Sequence, residues 1–322
     1  MLRLCVFLVG ATFFCRASSA YALCLGVQLS GVPSTATFQG GSGEYNVYDP
    51  AEYVQTLSFS VGGGASVANC NYFVTLSAGQ SGGFTTRKMA QSTNNLNYNV
   101  YIDAAKSKVI KSVTTATASE VLTGSFPVLL GTNQTNPHRL YWTASPGQVV
   151  PASASRYVDS NLTLSLYTGL LLGIYVLADS KTVTFQAKAE SSIDLSLVDT
   201  GSAFALGDAT QLVDFGNLES GKKKSFDLVV RSNAGYRVSL SSQNGQKLKR
   251  QNASDLIPYS LKLGGSTVNL SSAGVAVQAL ANSALTSNAG SAFPFEVTIG
   301  TLGAHERAGS YSDVVTATVS AY

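Results

Sequence analysis

The chain offers few residues with which to do covalent chemistry. Its two histidines, His138 and His305, fall one in each half of the 322 residues. His138 lies in Asn136-Pro137-His138-Arg139 and His305 in Gly303-Ala304-His305-Glu306, and both stretches read as turns. Neither has a second ligand at metal spacing. No Gly-x-Ser-x-Gly elbow is expected to present a nucleophile, and no Gly-rich loop followed by Lys-Ser/Thr is there to cradle a phosphate. Asp159 and Asp313 stand at matched places two residues after a tyrosine, but in separate halves. Hydrogen bonding at the start of a strand suits them better than a shared acid–base pair. An enzyme is therefore not expected, and neither cofactor nor metal is called for. Net charge is +3. The basic groups Lys222-Lys223-Lys224 and Lys247/Lys249/Arg250 adjoin Gly or Asn residues and read as solvated turns, not as a nucleic-acid-binding face. What remains is sulfur chemistry and apolar surface.

The sulfur chemistry depends on compartment. Arg3, an apolar run from Leu4 to Cys15 and Ala20-Tyr21-Ala22 have the order of a secretory signal, with cleavage expected after Ala22. The run is too short to span a bilayer. Cys5 and Cys15 leave with residues 1–22, and Cys24 and Cys70 remain as an even pair in an exported chain, which reads as a disulfide. Closing a loop over their separation of 46 residues stabilises by about 4 kcal/mol in the chain-entropy account.

The elements that carry these residues are strands. Period-2 alternation runs through Tyr72–Leu76, Leu162–Leu166, Val183–Ala187 and Val315–Val319. Glycine-rich breaks such as Gly40-Gly41-Ser42-Gly43 and Gly62-Gly63-Gly64 separate such runs. No long amphipathic helix is predicted, and charged residues make up only 12% of the chain. Segment 272–292 is Ala-rich and fits either a helical turn or strands with a long loop. The expected fold class is all-β, with sandwich-type packing.

The chain also resembles itself. Cys70-Asn71-Tyr72-Phe73-Val74-Thr75-Leu76-Ser77 parallels Ala234-Gly235-Tyr236-Arg237-Val238-Ser239-Leu240-Ser241. Leu96-Asn97-Tyr98 parallels Ile257-Pro258-Tyr259, and Arg156-Tyr157-Val158-Asp159 parallels Ser310-Tyr311-Ser312-Asp313. Three landmarks in the same order imply two copies of one fold. The polar stretch Asp179-Ser180-Lys181 suggests a division into residues 23–180 and 181–322.

Those landmarks resemble the spore coat protein U domain, the pilin module of archaic chaperone–usher fibres such as Csu pili. The resemblance rests on Cys24, Cys70, Arg87-Lys88-Met89, Asp214-Phe215-Gly216 and the ending Gly309-Ser310-Tyr311-Ser312-Asp313-Val314-Val315-Thr316-Ala317-Thr318-Val319. It departs at Val47-Tyr48-Asp49-Pro50, where the family has its Phe-Gly strand. It implies two immunoglobulin-like sandwiches, the C-terminal one a pilin fold lacking its last strand. It implies a tip adhesin serving surface attachment and biofilm formation, with a structural coat or minor fibre subunit as the alternative. The implied partners are a periplasmic chaperone, an outer-membrane usher and an adjacent pilin that donates a strand. Location is then the cell surface, at the fibre tip.

Two sets of residues are singled out in consequence. Val315, Ala317 and Val319 line the expected donor-strand groove, since the alternating strand that carries them is the last before Tyr322. With only Leu23 between the cleavage point and Cys24, the tethered head of the chain is not expected to donate a strand in turn. For attachment to a hydrophobic surface, the apolar residues in apparent loops are the candidates: Val32, Pro33, Phe126, Val128, Leu129, Leu130, Val149 and Val150. Burying about 300 Å² of them would yield roughly 7 kcal/mol before association costs. Core positions are the competing reading for each. The run Leu170-Leu171-Leu172-Gly173-Ile174-Tyr175 reads as the closing strand of the first domain leading into the linker, in preference to a binding finger.

Overall fold

The computed structural model describes residues 24, 26–41, 43–63, 69–127, 133–303 and 306–322. The expected signal segment 1–22, Val128, Leu129, Leu130 and His305 lie outside the described residues. Apart from one three-residue 3-10 turn at Gly79–Ser81, the regular elements described are all strands.

The first ten strands are β1 (Gln28–Ser30), β2 (Thr35–Thr37), β3 (Gln55–Gly63), β4 (Cys70–Leu76), β5 (Arg87–Gln91), β6 (Asn94–Tyr101), β7 (Leu122–Phe126), β8 (Gln134–Ala144), β9 (Tyr157–Gly169) and β10 (Tyr175–Ala187). They pair as β1-β3-β8-β6-β5 and as β7-β4-β9-β10-β2, and the two runs meet at the single pair Ala90–Val158. The two runs face each other over one core that includes Phe38, Leu57, Tyr98, Trp142, Leu162, Leu164, Leu166 and Phe185. Alternation puts Leu57, Phe59 and Val61 of β3 and Val183, Phe185 and Ala187 of β10 into that core, which is why such period-2 runs are visible in the sequence.

The second ten are β11 (Ile193–Val198), β12 (Lys223–Ser232), β13 (Tyr236–Ser242), β14 (Lys247–Arg250), β15 (Leu256–Leu263), β16 (Ser266–Val268), β17 (Val277–Asn282), β18 (Ser291–Ile299), β19 (Tyr311–Ser312) and β20 (Val315–Ala321). One sheet runs β11-β12-β18-β15-β14-β19 with β16 beside β15, and the other is β17-β13-β20. A separate core lies between them. Segment 272–292 resolves as strand β17, the first two residues of β18 and irregular chain around them. Lys223, Lys224, Lys247, Lys249 and Arg250, expected in turns, lie in β12 and β14.

The division between the sandwiches is later than the expected 180/181. Strand β10 runs unbroken through that point, and Val183, Phe185, Ala187 and Ala189 belong to the first core. The polarity of Asp179-Ser180-Lys181 misleads because its groups are bonded in place: an Asp179 carboxylate oxygen accepts the Leu29 N–H at 2.9 Å. The junction falls at residues 190–192. Asn233, fully buried, organises it. Its side-chain N–H₂ donates to the carbonyls of Glu190 at 2.8 Å and Val150 at 3.3 Å. Its side-chain oxygen accepts from Ser192 N at 2.8 Å, and its main-chain carbonyl accepts from Ala152 N at 2.9 Å. Nearby, Arg231 lies over the Tyr48 ring at 4.6 Å and the Phe204 ring at 4.2 Å.

Several expected surface residues are interior. Phe126 ends β7 and is 1% exposed, packed on Tyr72 with ring centroids 5.1 Å apart. Two glycines make room for these rings: a Cβ at Gly63 would lie 2.8 Å from Phe126, and one at Gly124 would lie 2.3 Å from Tyr72. Val150 is 5% exposed and its carbonyl is part of the junction. Val149, Val32 and Pro33 are half-buried, and Val32 packs on the first core. His138 is a residue of β8, not of a turn.

Candidate functional site

Two features stand out, one on each sandwich. They are best understood from the internal repeat, which the strand registers make explicit. In the first sandwich Val74 faces Leu166 and Leu76 faces Leu164. In the second, Val238 faces Val319 and Leu240 faces Ala317. Leu162, Leu164 and Leu166 thus correspond to Val315, Ala317 and Val319. The three leucines are fully buried, because β10 pairs with β9 along its length and drops Val183, Phe185 and Ala187 into the core. Val315, Ala317 and Val319 are only half-buried, and on the side away from β13 no described strand pairs with β20.

The result is a groove beside β20. Its cavity of about 700 Å³ is floored by Phe226, Phe295 and Val297, walled by Leu197 of β11 and the segment 209–216, and bordered by Val315 and Ala317. Phe226 and Phe295 stack at 4.6 Å. Val319 packs on the same core but lies beyond this cavity. An apolar floor beside an unpaired strand edge is a template for one more strand.

The repeat also explains the aspartates. Tyr98 donates its hydroxyl to Asp159 at 2.9 Å, and Tyr259 does the same to Asp313 at 2.7 Å. The N–H of Gln80 reaches Asp159 at 3.2 Å, and the N–H of Asn244 at the matching place reaches Asp313 at 3.0 Å. Burial, and then the neighbouring carboxylate, push both tyrosine hydroxyls well above their ordinary pKa. Each pair fastens a loop to a strand start within one sandwich. Gly79-Gln80-Ser81-Gly82-Gly83 does spell the spacing of a nucleophile elbow, contrary to expectation. It sits on the 3-10 turn, not between strand and helix, and the Ser81 hydroxyl bonds to the carbonyls of Ala78 and Gly83, both at 2.8 Å. Among the described residues no group of three or more His, Cys, Asp or Glu could hold a metal ion, and no helix is long and apolar enough to cross a membrane.

The second feature is the β9–β10 hairpin. Its turn is closed by Gly173 N donating to Leu170 O at 2.9 Å. Gly169 has φ +111°, and a Cβ there would lie 2.2 Å from the Ile174 carbonyl, so only glycine turns the chain here. Leu172 is 86% and Ile174 64% exposed, and Leu170, Tyr175, Val176 and Leu177 are exposed beside them. The run read as a closing strand is therefore an exposed apolar hairpin tip, or finger, whose Leu170, Leu171 and Leu172 line a shallow pocket with Asn71, Phe73 and Gly124. A consecutive apolar run cannot by itself distinguish a strand buried on both faces from one exposed on both. The base of the finger is fixed by three rings: Phe73 stacks on Tyr167 at 5.1 Å, and Tyr175 meets them edge-on at 5.6 and 5.5 Å. The Cys24–Cys70 disulfide is present and ties the first described residue to the start of β4. Thirteen residues of β10, at about 3.3 Å each, put the finger about 40 Å from the junction with the second sandwich.

Among families, residues 59–160, from β3 into β9, match the Spore Coat Protein U domain. The match falls on the first sandwich, whereas the most specific sequence resemblance is at the ending in the second. No curated protein matches. Among solved structures, the chain is similar to the CsuC–CsuE chaperone–tip adhesion subunit pre-assembly complex from archaic chaperone–usher Csu pili of Acinetobacter baumannii, with TM-score 0.43 and 16% identity over 90% of this chain and 99% of that one. It is also similar to the CupB6 tip adhesin of Pseudomonas aeruginosa, with TM-score 0.37 and 10% identity over 92% and 94%. A third is CfaE, the adhesive subunit of CFA/I fimbria of enterotoxigenic Escherichia coli, with TM-score 0.29 and 12% identity over 92% and 81%.

Proposed function

We propose that this chain, whose residues 59–160 match the Spore Coat Protein U domain, is the adhesive end subunit of a chaperone–usher fibre. The observation that carries the reading is that β10 covers β9 in the first sandwich while the corresponding side of β20 has no described strand in the second. The second sandwich accepts an extended strand, first from a periplasmic chaperone and then, at an outer-membrane usher, from the next subunit. The first sandwich is already complete and is held at Cys24 by its disulfide. Its apolar finger, at the end remote from the junction, meets hydrophobic surfaces at the cell exterior and supports biofilm attachment. An exposed apolar run of this kind is costly to leave in water and is understood as a contact site.

The test changes Leu172, Ile174 and Leu177 together to Ser and measures attachment of fibre-bearing cells to a hydrophobic surface. Attachment falls at least tenfold while fibres still assemble. Unchanged attachment would favour a structural subunit without binding activity of its own.

A further inference from the structure

The first sandwich contains its own closing strand, so it records what a closing strand must supply. On β10, Phe185 stands opposite Asp159. Its ring stacks on Tyr98 at 5.4 Å and meets Trp142 edge-on at 4.9 Å. The same neighbourhood can be traced in the second sandwich. Tyr98 corresponds to Tyr259 and Asp159 to Asp313, joined by the same hydrogen bond. On the adjoining strand, Tyr98 faces Ala144 and Val100 faces Trp142, while Tyr259 faces Ile299 and Leu261 faces Val297. Val297 therefore stands where the first sandwich has Trp142. An isopropyl group stands in place of the indole, and no described strand lies beside β20 to supply a counterpart of Phe185, although Phe215, Phe226 and Phe295 also line the cavity. Tyr259, Val297 and Asp313 all border the cavity beside β20.

We infer that the strand completing the second sandwich runs antiparallel to β20 and carries an aromatic side chain opposite Asp313, seated between Tyr259 and Val297. The partner is thus an extended segment of a neighbouring subunit with apolar residues at alternate positions and its bulkiest residue at this one. The reason is packing. A void of this kind leaves its lining without contacts on one side, and a ring placed as Phe185 is placed in the first sandwich restores contact with Tyr259 and Val297. Smaller residues at the same place would leave a cavity, with the instability that a large-to-small core change brings. The flanking positions, matching Val183 and Ala187, take small or β-branched residues. This inference rests on the strand-acceptor reading above.

The experiment extends the full chain beyond Tyr322 with a short turn and a copy of Asp179–Glu190. Three versions are made: the copy unchanged, the copy with Ala at the Phe185 equivalent, and the copy with Ala at the outward-facing Thr184 equivalent. Thermal unfolding of each is compared with the unextended chain. The unchanged copy raises the transition of the second sandwich by about 10 °C or more, and Ala at the Phe185 equivalent loses most of that gain. Ala at the Thr184 equivalent loses little. If the Phe and Ala copies raise the transition equally, the aromatic anchor is wrong and strand acceptance survives. If no copy raises it, strand acceptance itself fails, and this inference with it.

Discussion

The two sandwiches are built on the same plan, with the same tyrosine–aspartate clasp and the same strand registers, yet one is closed and the other open. The difference lies in the chain beyond the matched strand. After β9 the chain turns at Gly169 and returns as β10, burying Leu162, Leu164 and Leu166. Beside β20 no such return is described, and Val315, Ala317 and Val319 remain half-buried. The residues themselves reflect this: three leucines on the closed strand against valine, alanine and valine on the open one, and Trp142 against Val297. Closure of the first sandwich is thus the work of a single strand, β10, whose counterpart beside β20 is not among the described strands.

The contrast is tested most severely by opening the closed member. Phe185→Ala removes the ring between Tyr98 and Trp142 and is expected to destabilise the first sandwich by about 3–5 kcal/mol, read from denaturant unfolding. The second sandwich's transition should stay in place. Next in size, Cys24→Ser with Cys70→Ser removes the tether across 46 residues and should cost about 2–4 kcal/mol, again in the first transition alone. The shared clasp gives a direct test of equivalence. Tyr98→Phe and Tyr259→Phe each remove one hydroxyl from a carboxylate, with an expected loss of about 1–3 kcal/mol. The larger loss belongs to Tyr98, because Asp159 is fully buried whereas Asp313 is partly open to water. Equal losses would mean that the two clasps are not set apart by closure.

The smallest effect concerns pH. His138 lies 2.8 Å from the Tyr72 hydroxyl, and burial holds its pKa below the ordinary value of 6.5. The unfolded chain therefore takes up this proton at a higher pH than the folded one. The contribution to stability is complete above about pH 6.5 and is lost as pH falls through the depressed folded value. A pH series of urea midpoints should slope downward below about 6.5, and His138→Gln should flatten that slope for the first transition only.

Much of this is legible in the sequence, for identifiable reasons. Alternation marks Tyr72–Leu76, Leu162–Leu166, Val183–Ala187 and Val315–Val319 as strands, because each has one face in a core. The cysteine pair and the repeat are readable because both leave marks at fixed positions. The finger is not. Leu170–Tyr175 carries the composition of a buried strand, and only the fold shows that most of its side chains are exposed. Phe126 misleads in the opposite direction. It is flanked by Gly124-Ser125 and Pro127, which suggest a loop, while the glycines that make room for the ring cluster, Gly63 and Gly124, lie on different strands. Asp179 looks like a break because a polar side chain gives no sign of being bonded to a backbone 150 residues away.

The position of Asn233 has a mechanical consequence. A pull on the finger runs along the backbone of β10, and the ladder to β9 carries both strands of the hairpin together. At the far end the tension crosses the Asn233 hydrogen bonds at Glu190, Val150 and Ser192. Three residues later it reaches β13, which is laced to β20 over seven residue pairs from Tyr236–Ala321 to Ser242–Val315. The covalent chain 188–192 thus carries the load from β10 into the second sandwich, and the Asn233 amide braces that crossing and ties it to β13.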